Sequence, residues 1–271
     1  MGLLNYITFD GVKTSDYGVF ISGEGTFNAP ERRGELVNIP GRNGALFLDE
    51  GGFENIEVEY PAFIGSIYDG IFKQRLQALR MELKSRVSYV RLADTYHPDE
   101  FRLALYKAGL EVEPHFLNRS GEFTMIFNCK PQRFLTAGEI PQYFLANGVI
   151  SNPTPFNAKP LIKVIGTGTI EIQPYKFTVI NNDSELWIDS ESLEAYKLVD
   201  TMDDLTDESE SVITDENSED IELLIERTPE NMSSNVSFYN SIYPEIIPGD
   251  VPIYLNGDIE EVMIIPRWWR I

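Results

Sequence analysis

Apolar and polar positions alternate with a period of two through much of the first half of this chain, which predicts strands. Ile7 and Phe9 share one parity, as do Tyr17, Val19 and Ile21, and Asp10-Gly11 offers a turn between them. Ile56, Val58 and Tyr60 face one way while Glu57 and Glu59 face the other, the pattern of a strand buried on one side. The loop Asp49-Glu50-Gly51-Gly52 turns Ala45–Leu48 back into that strand, so residues 36–60 read as a hairpin or paired extended arms. From Tyr68 to Lys84 the period changes. Tyr68, Ile71, Phe72, Leu76, Leu79 and Leu83 fall three or four apart and make one apolar stripe on a helix. That stripe suits core packing or, less economically, a partner groove. Strands follow at Val87–Leu92, Phe101–Tyr106, Leu110–Phe116 and Glu122–Cys129.

Between Lys130 and Pro160 the pattern breaks. Pro131, Pro141, Pro153, Pro155 and Pro160 interrupt it, and Asn147-Gly148 adds a turn signal. The chain therefore divides into a first domain at 1–135, a linker at 136–151 and a second domain at 152–271. Short strands follow at Leu161–Ile165, Thr169–Ile172, Phe177–Ile180, Leu186–Asp189, Val251–Leu255 and Glu261–Ile265, the layout of an all-β sandwich. An acidic insertion at about 200–226 interrupts that domain: twelve Asp and Glu and no base between Asp200 and Glu226. Self-repulsion and scarce apolar residues predict an exposed loop, with a strand signal resuming at Ile221–Ile225. The fold class is thus mainly β with one helix.

Charge narrows the partners. The 271 residues hold 22 Lys and Arg against 43 Asp and Glu, a net charge of -21. Such a surface repels phosphate backbones and anionic headgroups, so neither nucleic acid nor membrane is an expected partner. No apolar run approaches the roughly 20 residues that cross a bilayer, and the start, MGLLNYITFDG, does not read as a secretory signal. Cys129 stands alone, which excludes an intramolecular disulfide and a thiolate cluster.

The search for chemistry yields little. His97 and His115 are the only histidines and have no matching nucleophile nearby, so they read as solvent-facing or edge-strand residues. Gly166-Thr167-Gly168 lacks the third glycine and the helix of a dinucleotide loop, and reads as a β-turn. Asp215, Asn217, Glu219 and Glu226 fit an EF-hand frame, but Asp220 stands where the sharp turn needs glycine. Acid pairs abound, so a glycosidase dyad is not excluded by counting. The three tryptophans and thirteen tyrosines suit a sandwich core or a sugar-stacking platform. The expectation is no catalytic residue, no metal and no cofactor.

Several stretches, taken in order, resemble the distal tail protein (Dit) family of long-tailed phages, the siphophages, that infect Gram-positive bacteria. They are Phe9-Asp10-Gly11-Val12 with Ser15-Asp16-Tyr17-Gly18-Val19, then Val37-Asn38-Ile39-Pro40-Gly41-Arg42-Asn43-Gly44, and the helix at Tyr68–Lys84. Asn152-Pro153, Pro160 to Gly168, Trp187 to Glu191, Pro248 to Gly257 and the closing Ile265-Pro266-Arg267-Trp268-Trp269 continue the likeness. The resemblance implies a homohexameric ring at the tip of the tail, in the virion, assembled in the bacterial cytoplasm. It implies a sandwich-like first domain whose protruding hairpin belt clasps a neighbour, and a galectin-like β-sandwich as the second domain. Implied partners are the tail tube protein, a tail-associated hub protein and receptor-binding or other baseplate proteins. The acidic segment is longer than the connection the resemblance leads one to expect.

Elementary physics agrees in kind. A ring closes when one patch on each subunit fits a different patch on the next, and an unpaired hairpin edge supplies such a patch. The expected belt residues are Val37, Ile39, Pro40, Gly41, Arg42, Asn43, Gly44, Phe53, Ile56 and Val58. Gly41 and Gly44 permit positive φ at the bend, and Arg42 either bridges to a carboxylate across an interface or sits on a solvated turn. The alternative function is a carbohydrate-binding virion module that contacts the host wall.

Overall fold

The computed structural model describes residues 4–22, 27–65, 71–115, 120–180, 185–201 and 226–271. They form two compact units, one of residues 1–137 with 269–271 and one of residues 138–268. Both are β-rich, and the molecule is mainly β with a single α-helix among the described residues.

In the first unit β1 (Ile7–Phe9) and β2 (Val12–Lys13) make the expected hairpin. Asp10 and Gly11 have φ of 50° and 83°, the paired positive values of its tight turn. A 3₁₀ turn, Thr14–Tyr17, leads to β3 (Val19–Ile21). Then come β4 (Arg32–Asn38), β5 (Ala45–Phe53), β6 (Ile56–Gly65), α1 (Ile71–Ser85), β7 (Val90–Asp94), β8 (Glu100–Leu105), β9 (Glu113–His115) and β10 (Ser120–Leu135). The sheet runs β2-β1-β7-β8-β10-β6-β3, with β9 added beside the start of β10. It curls until its edges meet: the Ile21 N–H donates to the Asn5 carbonyl at 2.8 Å. Closure removes open edges and encloses Phe9, Tyr60, Tyr106 and Phe127, whose rings lie 5.1–5.9 Å apart around Phe127.

The helical stripe is core. Phe72, Leu76, Leu79 and Leu83 are buried in the same cluster as Val58, Ile64 and Met125, so the partner-groove reading of that stripe falls away. The expected first turn of the helix, 68–70, lies outside the described residues. Val87, expected in a strand, is 93% exposed, and the strand begins at Val90 once the chain has left the helix.

The second unit holds β11 (Gln142–Phe144), β12 (Gly148–Asn152), β13 (Leu161–Ile172), β14 (Tyr175–Val179), β15 (Glu185–Asp189), β16 (Glu194–Thr201), β17 (Glu226–Asn231), β18 (Val236–Phe238) and β19 (Gly249–Ile265). Strand β20 (Trp269–Arg270) then returns to the first unit and pairs with the end of β10. There the Glu100 carboxylate, nearly buried, accepts from Arg133 and Arg270.

The stretch 136–151, expected as a linker, holds β11 and most of β12. Strands β11 and β12 both hydrogen-bond to β19, so the prolines around them punctuate short strands of the second unit. Pro131 falls inside β10, where the pairing with β8 shifts register between Cys129 and Arg133, a place that tolerates a missing N–H.

Two long strands build the sandwich. Along one edge β13 pairs with β19 throughout; along the other, Leu161–Ile165 pairs with β15 and Gly168–Ile172 with β14. Each long strand therefore serves both layers, and the bend falls at the register shift between Ile165 and Gly166. Gly166-Thr167-Gly168 is this corner and not the expected β-turn. Gly166 has φ of +102°, and a Cβ there would lie 2.2 Å from the Asp258 carbonyl oxygen. Sequence patterning splits β13 and β19 at their corners because alternation lapses where a strand changes layers. The inward set includes Ile162, Val164, Ile170, Ile172, Phe177, Ile253, Val262 and Ile264, all buried.

One ion pair closes the end of this unit. Arg267 grips Asp189 with two parallel bonds of 2.7 and 3.0 Å, and the Glu191 N–H donates to the same carboxylate. Burial pushes the Asp189 carboxyl up, but the Arg267 bonds and charge together with the backbone donors outweigh it and hold it below the ordinary value.

Gly166→Ala is expected to cost at least about 1–3 kcal/mol in urea unfolding through strain and collision at the corner; an unchanged midpoint would contradict the corner's role. For Asp189 the depressed native pKa adds stability above the unfolded value, about 3.9, and that stability is lost as pH falls through the native value. Arg267→Met should accordingly destabilise by about 1–3 kcal/mol at pH 7, with a smaller gap from wild type at pH 2.5. An equal gap at both pH values would refute the assignment.

Candidate assembly surface

Strands β4 and β5 form a separate two-stranded sheet, joined to no other strand among the described residues. The turn between them is built as its residues dictate. Pro40 and Gly41 occupy the centre of a β-turn closed by the Arg42 N–H on the Ile39 carbonyl at 3.2 Å, with Gly41 at φ of 81°. Proline followed by glycine is the preferred pair for a type II turn. Gly44, at φ of 80°, completes the bend into β5.

At the base, Arg32 pairs with Asp49 and Arg33 with Glu54, each at 2.9 Å, and the Arg32 guanidinium covers the Phe53 ring. These pairs are about half exposed and contribute little stability. They fix direction more than they hold the ribbon together.

Opposed residues on an antiparallel pair point to one side. Leu36 faces Phe47 on one side of the ribbon, and the Phe47 ring lies over Gly34, where any Cβ would collide with it. Val37 faces Leu46 and Glu35 faces Leu48 on the other side. Both sides thus carry large apolar groups. Leu36 is 69% exposed, and Ile39, Leu46, Phe47 and Leu48 are 36–49% exposed. An isolated two-stranded ribbon is marginal in water even without that burden.

Of the expected belt residues, Val37, Ile39, Pro40, Gly41, Arg42, Asn43 and Gly44 lie on this ribbon or its turn, and Phe53 lies at its base. Ile56 and Val58 do not. They open β6, and Val58 is fully buried in the core of the first unit, so neither is available to a neighbour. Strand parity assigned them an inward face, and that face turned out to be the domain's own. Leu36, Leu46, Phe47 and Leu48, which the expected set leaves out, are large apolar side chains that this ribbon exposes. Their signal was the run Ala45–Leu48, where apolar residues of both parities announce a ribbon with two greasy sides.

The other chemical candidates come to less. His97 is half-buried with Nδ1 3.1 Å from Asp94 and its ring edge-on to Phe27, whereas His115 lies exposed on β9 at the sheet edge. Among the described residues no group of His, Cys, Asp and Glu could hold a metal ion. Within them, too, no helix is long and apolar enough to cross a membrane. The EF-hand-like frame, the strand signal at 221–225 and the acidic run from 202 to 225 lie outside the described residues. In the second unit the exposed rings Tyr143 and Tyr254 sit at positions toward opposite ends of β19, and Tyr239 lies in a 3₁₀ turn after β18.

The chain matches no family model and no curated protein. Solved structures do resemble it. The SPP1 Dit (gp 19.1) protein, described as a paradigm of the hub adsorption apparatus in phages that infect Gram-positive bacteria, superimposes with a TM-score of 0.66 at 14% identity. The match covers 99% of this chain and 100% of that one. Chains of the phage p2 baseplate in its activated conformation, with Sr and with Ca, each give a TM-score of 0.53 at 7% identity over 97% of both chains. From end to end, the curled first sheet, the single helix and the corner-built sandwich make up a Dit-like fold.

Proposed function

We propose that this protein is a non-catalytic ring subunit of a phage tail tip, a homohexamer that joins the tail tube to the baseplate and host-adhesion device. The carrying observation is the β4–β5 ribbon. Residues 36–48 hold a single charge, Arg42, and expose apolar side chains on both sides. Exposed apolar surface of this kind marks an interaction site. The contact is between unlike patches, which generates a closed ring when the rotation between subunits is right. The Dit-like fold supports placement in the virion beside a tail tube protein, a hub protein and receptor-binding or baseplate proteins; fold alone does not establish function.

Replacing residues 36–48 by a short Gly-Asn-Gly turn tests the reading without touching Ile56 or Val58. Native mass spectrometry and electron microscopy should show a ring for the wild type and monomer for the variant. The variant's unfolding midpoint should stay within a few degrees of the wild type, because the ribbon lies outside the core. A ring that survives the replacement, or a wild type that stays monomeric at every concentration, would overturn the proposal.

A further inference from the structure

Arg102 is buried where the interior of a closed sheet should be apolar. On β8 it shares its inward side with the core residue Ala104, and it is 6% exposed. Across the sheet it stands opposite Leu92 on β7 and Arg133 on β10. Like charges directly opposite on antiparallel strands repel. Among the described residues, Nη1 and Nη2 of Arg102 are buried and donate to no acceptor. An unpaired guanidinium removed from water is strongly disfavoured.

The groups around it do not supply the missing charge. Arg102 lines a small cavity together with Tyr60, Asp94, His97, Glu100 and Arg133. Glu100 accepts from Arg133 and Arg270. Asp94 accepts from the Tyr60 hydroxyl at 3.0 Å and from the backbone N–H groups of Tyr96 and His97 at 2.9 Å each, with His97 Nδ1 3.1 Å away. Burial pushes the Cys129 thiol up to about 12 and the Tyr60 hydroxyl well above its ordinary value, so neither is anionic at neutral pH. Three guanidiniums, Arg102, Arg133 and Arg270, thus meet two carboxylates, Asp94 and Glu100, whose oxygens already have donors. One positive charge is left over before His97 is counted. The cavity holds about 10 Å³, room for one occupant of water or halide size and too little for sulfate, phosphate or a carboxylate. A water would accept from the guanidinium and leave its charge uncompensated.

We infer that this cavity binds a single small monovalent anion of the chloride class, held by the Arg102 guanidinium inside the first unit. The ion accepts from the two unpartnered nitrogens and offsets the repulsion between Arg102 and Arg133. Stability of the first unit is thereby tied to halide concentration, whatever the state of assembly between copies.

Thermal unfolding of the full chain in sodium chloride and in sodium gluconate, matched in ionic strength, tests this, since gluconate is too large for the cavity. The wild-type midpoint should rise by a few degrees for each roughly tenfold increase in chloride once the site fills, and should not do so in gluconate. Arg102→Met keeps an unbranched apolar stem and removes the charge. It should lose the chloride-specific rise and be at least as stable as the wild type in gluconate, because no buried charge is left unpaired. Wild-type crystals grown with bromide should show an anomalous peak within hydrogen-bond distance of the Arg102 guanidinium. Equal wild-type midpoints in the two salts would overturn the proposal, and so would a chloride response that Arg102→Met retains. A bromide peak with equal midpoints would mean binding at crystal concentration only and would overturn it too, as would a water at that position. Should Arg102→Met not fold, the wild-type salt comparison and bromide map decide the matter on their own.

Discussion

Everything in the first unit follows from one constraint: a ribbon two strands wide cannot bury apolar side chains on both of its sides. The β4–β5 ribbon has Leu36 and Phe47 on one side, Val37, Leu46 and Leu48 on the other, and no third strand paired with it among the described residues. Its salt bridges at the base are exposed and its turn is locally well made, yet neither compensates for wetted leucine and phenylalanine. The proposed contact with a second copy would remove that area from water. The rest of the unit supplies rigidity, for a closed sheet plugged by α1 gives the ribbon a fixed point of departure.

Closure and corners solve the same problem elsewhere in the chain. In the first unit the sheet bonds its own edges through Ile21 and Asn5. In the second, glycines at 166, 168 and 257 let β13 and β19 bend across two layers, where a side chain would strike the opposing backbone. Among the described residues the β4–β5 pair stands apart as the sheet joined to no other strand.

Much of this was legible in the residues. The Asp10-Gly11 hairpin, the stripe of α1 and the Pro40-Gly41 turn follow directly from local chemistry, and the structure contains each. Burial partners were less legible, because period two tells which residues share a side but not what lies against that side. Ile56 and Val58 share a parity that suits either a core or a neighbour, and the core claimed them. Strand continuity through Gly166-Thr167-Gly168 was hidden for a related reason: positive φ serves turns and corners alike. Pro141 and Pro153 marked breaks in strands, which resemble breaks between domains when only sequence is read.

Hydrogen exchange on the ribbon addresses the central claim most directly. Amides of residues 36–48 should exchange near their intrinsic rates in dilute, dissociated protein and become strongly protected in the assembled form, while β6 and β10 remain protected in both. Equal protection of the ribbon in the two states, or rapid exchange within an intact assembly, would contradict the account.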